Sequence, residues 1–160
     1  METFNTALFL IENNCYMASI DLKDAYYSVA IHPDDRKYLR FMWNNQLFEY
    51  TCLPNGLSCA PRVFTKMLKP IFSLLRSQGF VSVYYLDDIL LFRNSPQDCV
   101  ENVNVTLAIL RRLGFFINYS KSSFLPSNKV EFLGFELDST TMLANLPPRK
   151  CDDIDGSLHS

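Results

Sequence analysis

Histidine is almost absent: only His32 and His159, far apart in the chain. No imidazole pair is available for a metal site. The five cysteines, Cys15, Cys52, Cys59, Cys99 and Cys151, are odd in number and never in C-x-x-C spacing. That disfavours a disulfide framework and a zinc site alike. It suits free thiols in a reducing compartment, so an intracellular setting, cytoplasm or nucleus, is expected. No apolar run approaches the roughly 20 residues that span a bilayer, and no membrane partner is expected. The opening METFNTALFLIENN carries an acid and no basic n-region, unlike a signal peptide. Internal repeats and low-complexity tracts are also lacking. So is any basic excess: 15 Lys and Arg face 17 Asp and Glu, a net charge of −2. A complete nucleic-acid-binding protein is usually basic, because it must neutralise phosphates. Such a balance argues against a tight grip on nucleic acid by this chain alone.

What is present is a core. Hydrophobic residues make up 48% of 160 residues and aromatics 14%, enough for one ordered domain. A short helix is expected within Met1–Asn14, with Phe4, Leu8 and Ile11 at helical spacing. Cys15–Ile20 reads as a strand, Asp24–Val29 as tight helical turns, and His32-Pro33-Asp34-Asp35 as a loop. Tyr38–Trp43 and Gln46–Cys52 read as strands joined at Asn44-Asn45, a hairpin signal. Ser58 is the expected N-cap of a helix running to Gly79, with Pro61 in its first turn and a kink at Pro70. Ser95-Pro96 opens a second helix that ends at Gly114. Phe115–Asn118 and Lys129–Leu133 follow as short strands, and Glu136–Asp138 and Met142–Leu146 as a last hairpin. Cys151–Ser160 is polar and aperiodic, an expected disordered tail. The expected fold is α+β: an antiparallel sheet with helices packed on one face.

The stretch Val81–Phe92, VSVYYLDDILLF, sets two carboxylates, Asp87 and Asp88, between apolar runs. The pair reads as the tight turn of a hairpin. Neighbours on an extended chain face opposite sides, so one Asp is expected in a cleft and the other at its edge. Like charges so close repel and are costly to bury, and a bound cation resolves both problems. A solvated turn is the plain alternative. A third carboxylate is available at Asp21, at the end of an apolar strand. Asp24 follows as a turn starter, an N-cap of the next turn or part of an anion-binding terminus.

Asp21–Tyr27 (DLKDAYY), Leu53–Phe64 (LPNGLSCAPRVF), Tyr85–Phe92 (YLDDILLF) and Phe132–Phe135 (FLGF) together resemble the ordered motifs of a reverse transcriptase palm. The set is most similar to enzymes of long-terminal-repeat, gypsy-like or DIRS-like retroelements. The similarity runs from about Met17 to about Lys150, which implies a palm with partial fingers over residues 1–150. The resemblance implies RNA- and DNA-templated addition of dNTPs to a primer 3′-hydroxyl with two Mg²⁺ ions, Mn²⁺ being the substitute. This is chemistry that suits hard oxygen ligands. It implies Asp21, Asp87 and Asp88 as catalytic carboxylates, with Asp21 and Asp87 bridging both ions, Asp88 less direct, and the Leu22 carbonyl on the nucleotide-side ion. Lys23, Asp24, Ala25 and Tyr26 match the segment that cradles the triphosphate and sugar, with Asn55 and Leu86 beside the nucleotide. Tyr26 is the steric gate against a 2′-hydroxyl, or else a core aromatic. Tyr85 lies near the primer terminus, and Phe132, Leu133 and Gly134 belong to the primer grip. Lys121 matches a lysine that protonates the pyrophosphate, with a solvated surface lysine as the alternative.

Two departures stand out. The family usually carries Gln or Phe where Asn55 stands. By the family pattern, most of the fingers would precede Met1, and the thumb and RNase H would follow the chain. Those segments of a parent polyprotein are expected partners, beside a primed RNA or DNA template and dNTPs. Three readings compete: a polymerase palm, a non-catalytic retroelement remnant, and another palm-like nucleotidyltransferase or cyclase. The last does not account for LPNGLSCAP or FLGF.

Overall fold

Strand β1, Tyr16–Lys23, is the axis on which everything else is hung. A computed structural model describes residues 4–147. The tail Cys151–Ser160 lies outside the described residues. β1 pairs antiparallel with β5, Asp88–Arg93, which pairs with β4, Ser82–Tyr85. On its other side β1 takes β6, Phe116–Ile117, and β7, Ser123–Ser127. The sheet is thus antiparallel throughout.

Strand alternation splits its side chains between two cores. Ala18, Ile20, Leu22, Ile89 and Leu91 face the helices α2, Ala60–Ser77, and α3, Pro96–Arg112, where Phe64, Leu68, Phe72, Leu107 and Leu110 meet them. Met17, Leu90 and Phe92 face the other way. They are covered by α1, Phe4–Leu10, and by a three-stranded sheet of β8, Lys129–Phe132, β9, Phe135–Asp138, and β10, Leu143–Asn145. The two long helices share one face, as expected. Each fully buried Leu, Ile or Phe contributes about 2 kcal/mol.

Local chemistry explains most boundaries. Ser95 caps α3 by accepting from the Asp98 N–H at 3.2 Å. Gly79, at φ +87°, closes α2, and the Phe80 N–H returns to the Leu75 carbonyl at 2.9 Å. Asn44 and Asn45, both at positive φ, turn β2, Arg40–Trp43, into β3, Gln46–Glu49. That ribbon stands apart: every residue in both strands is exposed, and Trp43 is 71% exposed.

Several expectations need correction. The hairpin loop is Leu86-Asp87, not Asp87-Asp88, because Tyr85 pairs with Asp88 and the latter already belongs to β5. Pro33–Leu39 is a 3₁₀ helix rather than a loop, with His32 accepting from the Asp34 N–H. The residue capping α2 is Cys59, not Ser58. Helix α2 continues through Pro70, which is exposed. Leu8 is exposed, and Ala7 within α1 and Ile11 just after it are buried. Ser123–Ser127 is a strand although Pro126 lies in it, which suits its place at an edge.

Candidate active site

Asp21 and Asp88 are partners in register across β1 and β5. Directly opposed residues share a face, here that of Met17, Leu90 and Phe92. A side-chain hydrogen bond between the two carboxyl groups favours the protonated form of Asp88. Burial, then the bond to Asp21, then the charges of Asp87 and Asp21 push Asp88 from 3.8 up to about 7, against the pull of Lys121. Asp87 is pushed up as well, by burial first and by Asp21 second, with its own backbone and Lys121 opposing.

The two neighbours at the hairpin tip face different spaces. Asp21 and Asp88 line a cleft of about 670 Å³ with Lys121, Phe132, Leu133 and Gly134. Asp87 lines a second cavity of about 320 Å³ with Asp24, Ala25, Tyr26, Asn55 and Leu86. The loop between them is tense. Leu86 has φ +54° at the first position of a two-residue turn, where glycine is usual. A non-glycine residue there costs about 1–3 kcal/mol.

Six residues singled out from the sequence therefore meet in one cavity, and six more in the adjoining cleft. Others are placed differently. Lys23 points to a separate hollow with Arg111, Phe116 and Tyr119. Asp24 occupies the N-cap position of the 3₁₀ turn Ala25–Ser28, but it is left-handed at φ +50° and its side chain makes no cap bond. Phe132 borders the cleft but is only 3% exposed and belongs to the second core, and the turn after it is more open. That turn, Leu133-Gly134, has positive φ at both positions, the tight type that joins twisted strands. Tyr85 is half-buried against the same core.

Tyr26 lies between the core and a cavity. Its ring packs edge-on against buried Phe64, centroids 5.6 Å apart at 77°, and it borders the Asp87 cavity. Burial, Asp87 and Tyr85 raise its hydroxyl's pKa. Asn55 donates to the Tyr27 hydroxyl at 3.2 Å, which fixes the shorter side chain at the cavity rim. Lys121 is exposed, yet its charge acts on both Asp87 and Asp88.

Among the described residues, no three His, Cys, Asp or Glu side chains form a ready cation cage. The donors nevertheless suit a hard cation: three carboxylates, two of them raised in pKa by burial first and by neighbouring carboxyl groups second. The Leu22 N–H donates to the Asp87 carbonyl at 2.8 Å. In an antiparallel strand the N–H and C=O of a residue face the same neighbour, so the Leu22 carbonyl faces the Asp87 turn too. Sequence reasoning missed Ser122 and the backbone of Asn118, which bind the Asp21 peptide from a loop 101 and 97 residues away. No motif marks such a contact.

The family model for reverse transcriptase (RNA-dependent DNA polymerase) matches residues 2–137. A Pol polyprotein of the Drosophila melanogaster transposon opus is 31% identical over 131 residues, 82% of this chain and 13% of its own length. The genome polyprotein of Petunia vein clearing virus is 30% identical over 124 residues, 78% of this chain and 6% of its own. The chain therefore spans a small part of these relatives. Among solved structures, a foamy viral protease-reverse transcriptase in complex with RNA/DNA hybrid superposes with a TM-score of 0.78 at 25% identity, over 93% of this chain and 20% of that one. Another, in complex with dsDNA, shares the fold at a TM-score of 0.79 and 22% identity, over 97% and 31%. Among the described residues, no helix is long and apolar enough to cross a membrane. On a fold of this kind, and with the family model matched over most of its length, the chain belongs to the reverse transcriptase (RNA-dependent DNA polymerase) family as it occurs in retroelement polyproteins.

Proposed function

We propose that this chain is the catalytic palm of an RNA-directed DNA polymerase, residues 1–150 forming the domain, adding dNTPs to a primer 3′-hydroxyl. One observation carries the reading: Asp21, from a distant segment, is brought opposite Asp88 at the tip that also holds Asp87. Asp21, Asp87, Asp88 and the Leu22 carbonyl would hold two Mg²⁺ or Mn²⁺ ions. Such ions, when bound, activate the attacking hydroxyl and neutralise charge on the phosphates.

The chain's own residues divide the remaining work. The cavity of Asp24, Ala25, Tyr26, Asn55 and Leu86 receives the nucleotide. The Tyr26 ring, braced by Phe64, takes the space a 2′-hydroxyl needs. Lys121, which lines the cleft of Asp21 and Asp88, gives a proton to the departing pyrophosphate oxygen. The Leu133-Gly134 turn and Tyr85 orient the primer end.

The cation assignment is open to a direct test. Folding favours the protonated form of Asp88, whose pKa rises from 3.8 to about 7. That stabilisation is complete below the lower value and lost as pH climbs through the upper one. The metal-free chain is expected to melt at a lower temperature at about pH 8 than at about pH 5. Mn²⁺ must displace the proton, so it is expected to raise the melting temperature at the higher pH and hardly at the lower. At a hundredfold excess over its dissociation constant the gain is about 2.7 kcal/mol. Asp88→Asn is expected to flatten both dependences. A parent chain indifferent to divalent ions in thermal melts points instead to a non-catalytic remnant.

The isolated chain is expected to extend a primed RNA poorly or not at all. Its net charge of −2 offers little purchase on phosphates. Robust dNTP incorporation in a gel-based extension assay would refute this.

A further inference from the structure

β6 and β7 both pair with the same edge of β1, but the pairing is broken between them. Ile117 pairs with Leu22 and Ser123 with Ser19. Five residues, 118–122, thus stand against only Ile20 and Asp21. Surplus residues in a ladder leave backbone groups without partners and re-aim side chains, often beside a reactive site. Here the surplus loop replaces the missing ladder bonds itself. The Asp21 N–H donates to Ser122 Oγ at 2.9 Å, and Ser122 Oγ donates to the Asn118 carbonyl at 2.7 Å. The Asn118 N–H closes the ring on the Asp21 carbonyl at 2.8 Å. The Ser122 N–H also reaches the Asn118 carbonyl, at 3.1 Å. Both peptide groups of Asp21 are therefore held by one loop, and Lys121 rides on it into the cleft of Asp21 and Asp88.

We propose that Ser122 is a positioning residue: its hydroxyl, standing in for a strand partner, fixes the Asp21 backbone and sets Lys121 beside it. The proposal rests on the polymerase reading for its purpose but not for its geometry. A serine hydroxyl suits the task because it accepts and donates at once, which alanine cannot. Partners one shell out from a metal ligand commonly change metal affinity ten- to a hundredfold when removed.

The test uses the 160-residue chain, with Ser122→Ala and Ser122→Thr, amide hydrogen exchange read at Asp21, and Mn²⁺ as the probe ion. Ser122→Ala is expected to speed exchange at the Asp21 N–H about tenfold while leaving Ile89 and Leu91 unchanged. It is also expected to weaken Mn²⁺ binding about tenfold. Ser122→Thr, which keeps the hydroxyl, should restore both. Parental exchange at Asp21 in Ser122→Ala overturns the proposal, as does a Thr variant as impaired as the Ala variant. If the parent chain takes up no Mn²⁺, the cation reading falls on that result, and the exchange comparison alone decides the role of Ser122. Should Ser122→Ala unfold the chain, Ser122→Cys, similar in shape with a weak sulfur acceptor, supplies the same comparison.

Discussion

Asp87→Asn is expected to abolish nucleotide addition in a polyprotein that carries this chain with the rest of its polymerase, by about a thousandfold or more. The amide keeps the size of the carboxylate but supplies no charge to a cation. The fold should survive. Asp87 is a loop residue, and its ionised form is already disfavoured by burial and by Asp21. Removing that charge relieves repulsion at the hairpin tip, so the variant should melt no lower than the parent at about pH 8. Primer extension on a primed RNA measures the first effect and a thermal melt the second. Extension at the parental rate by a folded variant removes the two-ion assignment.

Tyr26→Ala should relax sugar selection. The ring sits between Phe64 below and the cavity of Asp87 and Leu86 above. Its loss opens room for a hydroxyl, and a steric contact of this size is worth about ten- to a hundredfold in discrimination. Tyr26→Phe keeps the ring and should keep the selection. Competing incorporation of rNTP and dNTP by the full polymerase measures both variants. Equal rejection of rNTP by the Ala variant would mean that Tyr26 serves only the core. The edge-on contact with Phe64 contributes about 1 kcal/mol besides burial, so some stability loss accompanies either outcome.

Where local chemistry rules, the sequence was easy to read. Asn44-Asn45 announces a tight turn because asparagine tolerates positive φ, and Ser95 announces a helix because its hydroxyl accepts from a free N–H. The Asp pair misled by one residue for the opposite reason. Leu86 takes a conformation that the rules reserve for glycine, so the loop sits one step earlier than its polar residues suggest. Strand alternation put one Asp in a cleft and the other at its edge, whereas Asp87, a loop residue, lines a cavity separate from that of Asp88. Nothing local could place Asp21 against Asp88, or Ser122 against Asp21. Those contacts exist only because β1 lies between β5 on one side and β6 with β7 on the other.

The uncovered ribbon of β2 and β3 bears on how the molecule can be watched. It carries the chain's single tryptophan, Trp43. A two-stranded ribbon with both faces in water is held weakly and opens ahead of the sheet it leaves. Intrinsic indole fluorescence will therefore follow fraying of this one appendage, and an early emission change on heating says nothing about the carboxylate-bearing strands, which are spectroscopically silent in that signal.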